Sequence, residues 1–230
     1  MTLALSVTDD QLGGYFRRMV AIAERGNKSL PFDKLMDTLQ TIHDGKLTPF
    51  AGGLRGRFIR TMLITIGGVP KDDLIMQVKA AGREVSSYAE SMVNHKKFTT
   101  QGEQETVTLI DLCPADLGFT ENPTTTELLD VKRLADWSAA NLDGCVIELC
   151  PAEVGLHLAI QYKDQPNGEV LWVAMERIPG SGDRPRVFAV ERGVGGTLWL
   201  FDAWTNPDYR WRLARRVVFR LRKVPSASAV

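Results

Sequence analysis

The residues best suited to bind a partner are the arginines and aromatic residues between 208 and 223, DYRWRLARRVVFRLRK. In this segment, which we call the basic run, six arginines and one lysine accompany a single acid, Asp208. Tyr209, Trp211 and Phe219 lie between the cations. Guanidinium groups bind phosphates and aromatic rings stack on bases, so the composition of the basic run is typical of nucleic-acid contacts.

The second half of the basic run has the alternation of a β-strand. In RRVVFRLR, Val217, Phe219 and Leu221 face one way, while the arginines at 216, 220 and 222 face the other. The arginines are expected to contact phosphates and Trp211 to stack on a base. The predicted partner is nucleic acid first and an acidic protein second. The predicted binding residues are Arg210, Trp211, Arg212, Arg216, Arg220 and Arg222.

The formal net charge of zero conceals a separation of charge along the chain. Residues 1–100 carry 14 basic and 10 acidic side chains, residues 101–156 carry 2 and 11, and residues 201–230 carry 7 and 2. The basic run could therefore pair with the acidic segment 101–156 of the same chain instead of with a partner. The sequence leaves both outcomes open.

Composition limits the classes of protein to consider. With 230 residues, 44% hydrophobic and 24% charged, the chain is typical of a globular protein of one or two domains. Arg60 interrupts the longest apolar run, 58–69, which is shorter than the roughly 18–20 residues of a membrane span. The N-terminus lacks the features of a signal peptide, and an odd number of cysteines fits a reducing compartment. A cytoplasmic protein with no membrane partner is expected.

The N-terminal part of the sequence has mainly helical patterns. Capping signals and apolar stripes predict helices over 8–26 and 31–45, and a third helix from Pro70 to Met92. Strands are predicted at RFIRTMLITI (57–66) and at TVTLIDL. Thr124 and Glu127 have capping-box spacing at the start of a fourth helix, which ends at Gly144.

From Cys145 onward the period changes to two. The runs CVIELC, LHLAIQY, EVLWVAM, RVFAVER, TLWLF and RRVVFRLR predict six short strands joined by turn-rich segments. Such spacing favours a mostly antiparallel meander that curls into a small barrel or sandwich. The predicted fold is α+β, with a mainly helical region containing one strand (1–100), an acidic strand-helix connector (101–144), an antiparallel β-domain (145–224) and a short disordered tail (225–230).

A nine-residue segment occurs twice. IDLCPADLG (110–118) and IELCPAEVG (147–155) are identical at six positions and conservative at the other three. Each predicts a strand that ends at Cys-Pro and continues into a turn. If the two strands were paired neighbours, Cys113 and Cys150 would lie close together.

The cysteines have two interpretations, and the more specific one is a metal site. Cys113, Cys145, Cys150 and His157 together would make a Cys₃His set. However, C-x₂₋₄-C pairs are missing, and an odd separation places Cys145 and Cys150 on opposite faces of a strand. Small buried thiols are the simpler interpretation, and no cofactor is predicted.

Common catalytic motifs are missing from the sequence. It contains no Walker A, G-x-G-x-x-G, G-x-S-x-G, H-E-x-x-H or EF-hand pattern. His43, His95 and His157 are scattered, so acid–base catalysis would have to rest on carboxylates. Nothing in the sequence pairs any two of these carboxylates.

Four further stretches of the sequence are distinctive: IGGVPKDDLIMQVKAAGREVSSYAE, DLGFTENPTTTELL, ELCPAEVGLHLAIQYKDQPNGEVLWVAMERI, and VFAVER with WLFDAW. In these stretches the chain resembles a group of uncharacterised proteins from bacteria with very small genomes. The resemblance spans roughly 57–223, and QYKDQPNGEVLWVAMERI is its most distinctive part. It implies a bacterial, intracellular domain and carries over no activity, cofactor or site residue.

Three functions are consistent with these patterns. The first is a non-catalytic binding module that presents the basic run to nucleic acid or to an acidic partner. The second is a metal- or carboxylate-dependent enzyme centred on the repeated Cys-Pro turns. The third is a structural protein whose oppositely charged segments mediate self-association.

Overall fold

The chain divides into two units, Met1–Pro49 and Phe50–Val230. The structure is a computed structural model that describes residues 47–48, 59–142, 144–180 and 182–224. In the first unit it describes one short strand, β1 (Leu47–Thr48). The helices predicted over 8–26 and 31–45, and the tail 225–230, lie outside the described residues.

The described part of the second unit contains five helices and nine strands. None of these helices, the longest having 11 residues, is long and apolar enough to cross a membrane. The helices are α1 (Lys71–Ala80), α2 (Ser87–Asn94), α3 (Thr125–Leu128), α4 (Val131–Asn141) and α5 (Val154–Gln161). The strands are β2 (Ile59–Ile66), β3 (Arg83–Val85), β4 (Glu105–Leu112), β5 (Cys145–Glu148), β6 (Glu169–Val173), β7 (Ile178–Pro179), β8 (Pro185–Arg192), β9 (Leu198–Trp204) and β10 (Val217–Lys223).

The nine strands form one mostly antiparallel sheet, so the α+β prediction is confirmed. Their order is β2-β4-β10-β6-β8-β9-β3, with β5 also paired to β10 and β7 to β8. Two pairs, β10 with β6 and β3 with β9, are parallel. Among the described strands of this unit the path does not close into a barrel. The sheet draws strands from all three segments of the predicted organisation, because β2, β4 and β10 are neighbours.

Seven of the eight predicted strands are present, and the strand predicted at LHLAIQY is wrong. It forms α5, in which every residue from Val154 to Ala159 is buried. A helix that is buried on all sides has no polar face, so it lacks the 3.6-residue period by which helices are found. A short apolar run of this kind cannot be assigned to helix or strand from periodicity.

The third predicted helix is two helices separated by a strand. Gly82, with a φ of 81°, takes a left-handed conformation just beyond the end of α1. β3 then extends the chain, and Ser86 caps α2 by accepting a hydrogen bond from the Ala89 N–H at 3.1 Å. The capping box of Thr124 and Glu127 is confirmed, although it begins the short α3, with α4 following separately.

A buried arginine holds the C-terminal end of α5. Arg83 is 3% exposed, and its guanidinium donates to the Ala159 carbonyl, to the Tyr162 carbonyl at 2.8 Å and to the Gln165 side chain at 3.0 Å. Burial lowers the pKa of Arg83 to about 10. A cation among helix C-terminal carbonyls complements the helix dipole, so Arg83 fixes α5 to β3.

The two faces of β6, β8 and β9 have different surroundings. The inner face carries Leu171, Val190 and Leu200 in one cross-strand row, all fully buried, and α5 contacts β8 and β9. The outer face carries the next row, in which Ala189 lies between Trp172 and Phe201. One part of the core therefore lies between the inner face and α5.

The closest approach of α5 to the sheet occurs at Gly155. A Cβ atom there would lie 2.6 Å from Cβ of Phe188, a fully buried residue. We expect Gly155→Ala to lower the free energy of unfolding by about 1–2 kcal/mol, because overpacking exceeds the gain in helix propensity. Urea denaturation measures this difference.

Gly195→Ala is the matched control. A Cβ atom at Gly195 meets no atom within 4 Å, and the backbone φ there is not positive. Its urea midpoint should equal that of the unmodified protein. Equal midpoints for both variants would contradict the close packing of α5 on β8.

Candidate functional site

The basic run occupies two different environments. Residues 205–216 form the loop between β9 and β10, which we call the arginine loop, and β10 itself carries Arg220 and Arg222. β10 lies inside the sheet, with β4 on one side and β5 and β6 on the other. The strand predicted to present cations to a partner is therefore at the centre of the sheet.

Three arginines of the basic run pair with carboxylates of the acidic segment 101–156. The Arg216 Nε atom lies 2.8 Å from Oδ1 of Asp111. Both pairs on β10 have at least one partly exposed partner. The internal pairing that the sequence left open is thus present for these three arginines. The pairs are Arg216–Asp111, Arg220–Glu105 and Arg222–Glu148.

Asp111 is shared between two guanidinium groups. It is 1% exposed, and its Oδ2 atom accepts a hydrogen bond from Nε of Arg60 at 3.0 Å, on the side opposite Arg216. Arg216 also donates to the Asp111 carbonyl at 2.9 Å. A buried carboxylate with two cationic partners links β2, β4 and the start of β10.

The same cluster extends to the end of α5. Arg60 lies 2.7 Å from Oε1 of Glu169 and donates to the Tyr162 hydroxyl at 2.6 Å. The hydroxyl donates in turn to Glu169 at 2.9 Å. Burial raises the pKa of Tyr162. Burial alone would lower the pKa of Arg60, but the nearby Asp111, Tyr162 and Glu169 outweigh it, so the pKa of Arg60 is raised. Tyr162 therefore stays neutral and Arg60 charged, and the cluster attaches α5 to the sheet.

The other three arginines differ in their surroundings. Arg210 donates to the Asn122 carbonyl at 3.0 Å, Arg215 donates to the Tyr209 hydroxyl at 2.5 Å, and Arg212 is exposed. Among the described residues, no carboxylate forms an ion pair with any of them. The arginine loop holds four arginines and one acid, Asp208. Its positive charge is therefore only partly neutralised by the described fold.

Arg210 contributes to the lowered pKa of a nearby acid, Glu127. The pKa of the exposed Glu127 carboxylate is lowered, chiefly by hydrogen bonds from Thr124 and to a smaller extent by Arg210. Thr124 and Arg210 also form an isolated β-bridge. Arg210 thus projects its charge into solvent beside the start of α3.

Arg215 lies among three aromatic rings. Its guanidinium carbon is 4.4 Å from the ring centroid of Trp172, 5.6 Å from that of Trp211 and 5.7 Å from that of Tyr209. Trp211 contacts Trp172 and Tyr209 edge to face. These cation–π contacts hold Arg215 in place without neutralising its charge.

Trp211, predicted from the sequence to stack on a base, is buried. It is 1% exposed, and its indole N–H donates to Oγ1 of Thr125 at 3.0 Å. Its ring supports Trp172, Tyr209 and Arg215 from within the protein. In this position Trp211 contacts protein groups and not solvent.

Three residues that sequence reasoning missed carry the exposed aromatic surface. Trp172 and Phe201 on the outer face contact edge to face, with ring centroids 6.5 Å apart. Trp199 shares the outer face with Phe201 by strand alternation, and all three are partly exposed. The runs EVLWVAM and TLWLF were predicted as strands that contain these residues. Because EVLWVAM is apolar on both faces, its pattern does not show that Trp172 lies on a partly exposed face.

The two copies of the nine-residue repeat are separated by β10. β4 and β5 both pair with β10, on opposite sides, so the strands that lead to Cys113 and Cys150 lie about 10 Å apart. The idea that they pair with each other is wrong. Within the described residues, no three His, Cys, Asp or Glu side chains form a group that could hold a metal ion, and this includes Cys113, Cys145, Cys150 and His157.

The three cysteines are free thiols. Burial raises the pKa values of Cys113 and Cys150. A thiol whose pKa is raised is a weaker nucleophile and metal ligand at neutral pH.

A buried acid and histidine follow the second Cys-Pro turn. Glu153 is 0% exposed, its Oε1 atom accepts from the Gln101 N–H at 3.0 Å, and its Oε2 atom lies 3.5 Å from Nε2 of His157. Acid–base chemistry at this pair would require a substrate to displace α5 or the loop that contains Gln101. Sequence reasoning missed the pair because it assigned a strand to α5.

Compared with known proteins, the chain matches no family model, no curated protein and no solved structure. The functional conclusion therefore depends on the geometry described above. In that geometry, a loop whose Arg210, Arg212 and Arg215 form no ion pair with a described carboxylate adjoins the partly exposed rings of Trp172 and Tyr209.

The shared carboxylate can be tested by removing its charge. Asp111→Asn removes the buried anion between Arg60 and Arg216, whose remaining carboxylate partners are Glu169 and Asp116, so we expect a loss of about 3 kcal/mol in the free energy of unfolding. Asp136→Asn is the matched control, since it breaks the exposed pair with Lys132, and it should leave the melting temperature unchanged. Calorimetry on both variants measures the difference, and equal melting temperatures would contradict the structural role of Asp111.

Proposed function

We propose that this protein binds nucleic acid through the arginine loop. One observation carries the proposal. The basic run contains six arginines, and three of them, Arg210, Arg212 and Arg215, form no ion pair with a described carboxylate. Guanidinium groups in this state are available to phosphates, because no internal anion has to be displaced.

The position of the arginine loop supports this function. Arg210 and Arg212 are exposed, and Arg215 is held against Trp172 with its charge retained. The three cations are spaced over six residues of one loop, which can follow a phosphate backbone. Arg216, Arg220 and Arg222 differ, because each already has a carboxylate partner.

An acidic protein would meet the same cations. Nucleic acid is favoured because planar, partly exposed aromatic rings adjoin the arginines, and every nucleobase has a face that can stack on them. An acidic peptide would use the charges but would leave Trp172 and Tyr209 without a matching partner.

A salt series with charge variants tests the proposal. The probes are a labelled 20-nucleotide DNA of mixed sequence, single-stranded and as a duplex, and the readout is fluorescence anisotropy. Three phosphate contacts predict that affinity falls about 20- to 40-fold between 50 and 200 mM salt. The double variant Arg210→Ala/Arg212→Ala should reduce that fall to about three- or four-fold.

Arg220→Ala/Arg222→Ala is the matched control, because it removes the same number of cations from the same run. It should leave the salt dependence unchanged, since these two arginines pair with Glu105 and Glu148. If this control weakens binding as much as the Arg210/Arg212 variant, the binding surface is the strand predicted from the sequence. No binding of either DNA at 50 mM salt, together with tight binding of a poly-glutamate peptide, would overturn the proposal in favour of an acidic protein partner.

Light scattering at both salt concentrations accompanies the binding series. A particle mass that changes with salt in the absence of DNA would favour self-association through the charged segments.

A further inference from the structure

We infer that the nucleic acid is single-stranded and that its bases stack on the outer face beside the arginine loop. This inference rests on the proposed function and identifies its ligand. It comes from the aromatic surface formed by Trp172, Trp199, Phe201 and Tyr209, not from the charges.

The outer face leaves large aromatic rings partly in contact with water. α5 packs on β8 and β9 from the inner side, as the approach of Gly155 to Phe188 shows, and α2 packs on β9. Trp172, Trp199 and Phe201 stay partly exposed while Ala189 between them is fully buried. Large aromatic rings that stay partly exposed on one sheet face are typical of a binding site.

The cross-strand register brings two of the aromatic rings together. Trp172, Ala189 and Phe201 are direct neighbours on β6, β8 and β9, and the small Ala189 allows the two large rings to meet above it. Trp199 continues the surface two residues along β9. Sheet faces with aromatic rings at such positions hold two or three unstacked bases in general single-strand recognition.

Arg215 connects the stacking surface to the phosphate contacts. Its guanidinium lies 4.4 Å from the Trp172 centroid and is oriented by the Tyr209 hydroxyl. A guanidinium plane also stacks on bases. One face of the Arg215 guanidinium contacts Trp172, and a base could stack on its other face. Arg210 and Arg212, in the same loop, would then contact the adjoining phosphates.

This arrangement distinguishes single strands from duplexes. In a duplex the base faces are covered by neighbouring base pairs, and only their edges are accessible in the grooves. Aromatic rings on the outer face therefore add affinity for a single strand and add none for a duplex.

The experiment compares a 12-nucleotide oligodeoxythymidylate with its duplex, using fluorescence anisotropy at 50 mM salt. Trp199→Leu removes a partly exposed stacking ring, and Trp204→Leu is the control, because Trp204 is 46% exposed but lies on the opposite side of β9 by alternation. We expect the single strand to bind at least about ten-fold more tightly than the duplex. Trp199→Leu should weaken single-strand binding about five-fold or more and leave duplex binding unchanged, and Trp204→Leu should alter neither.

Trp172→Leu provides a second variant at the centre of the surface, with its melting temperature measured in parallel. If it unfolds, Trp199→Leu alone decides the question. Equal binding of both DNAs, with no effect of Trp199→Leu, would overturn base stacking while leaving phosphate binding by the arginine loop intact. No binding of either DNA would overturn the proposed function and this inference together.

Discussion

The sheet depends on a carboxylate that water does not reach. Asp111 is buried on β4, and its charge is tolerable only because Arg60 and Arg216 approach its two oxygens from opposite sides. Removing a carboxylate from water costs several kcal/mol, which is offset only when both cations are in place. One buried charge cluster therefore joins β2, β4 and the start of β10, and the contacts of Tyr162 and Glu169 connect the end of α5 to the same cluster.

The charge separation in the sequence follows from this arrangement. The acidic segment supplies Glu105, Asp111 and Glu148 to the strands on either side of β10, and half of the arginines of the basic run neutralise them. The other half lie in the arginine loop, where Arg210 donates to a backbone carbonyl, Arg215 contacts a hydroxyl and aromatic rings, and Arg212 is exposed. A net charge of zero thus combines an internal ionic framework with a local positive surplus.

The strands were predictable as short apolar runs bounded by turns, and α5 was not. RVFAVER is such a run, with Val187 to Val190 buried on both faces of the sheet. α5 is an equally apolar run in which Val154 to Ala159 are all buried, so periodicity cannot separate the two. The assignment of a strand there also hid Glu153 and His157, which one helical turn brings together but a strand would place about 13 Å apart. The aromatic site was hidden for a related reason, since no pattern in EVLWVAM shows which side of Trp172 stays open.

The position of β10 has a consequence for how the protein is made. β10 follows every other described strand of its unit in chain order, yet it joins the β2–β4 pair to the β6–β8–β9 group. During synthesis, which proceeds from the N-terminus, these two halves emerge first and each exposes a strand edge until residues 217–223 arrive. The sheet is therefore completed by its last strand, and until then both unpaired edges need protection from pairing with other chains.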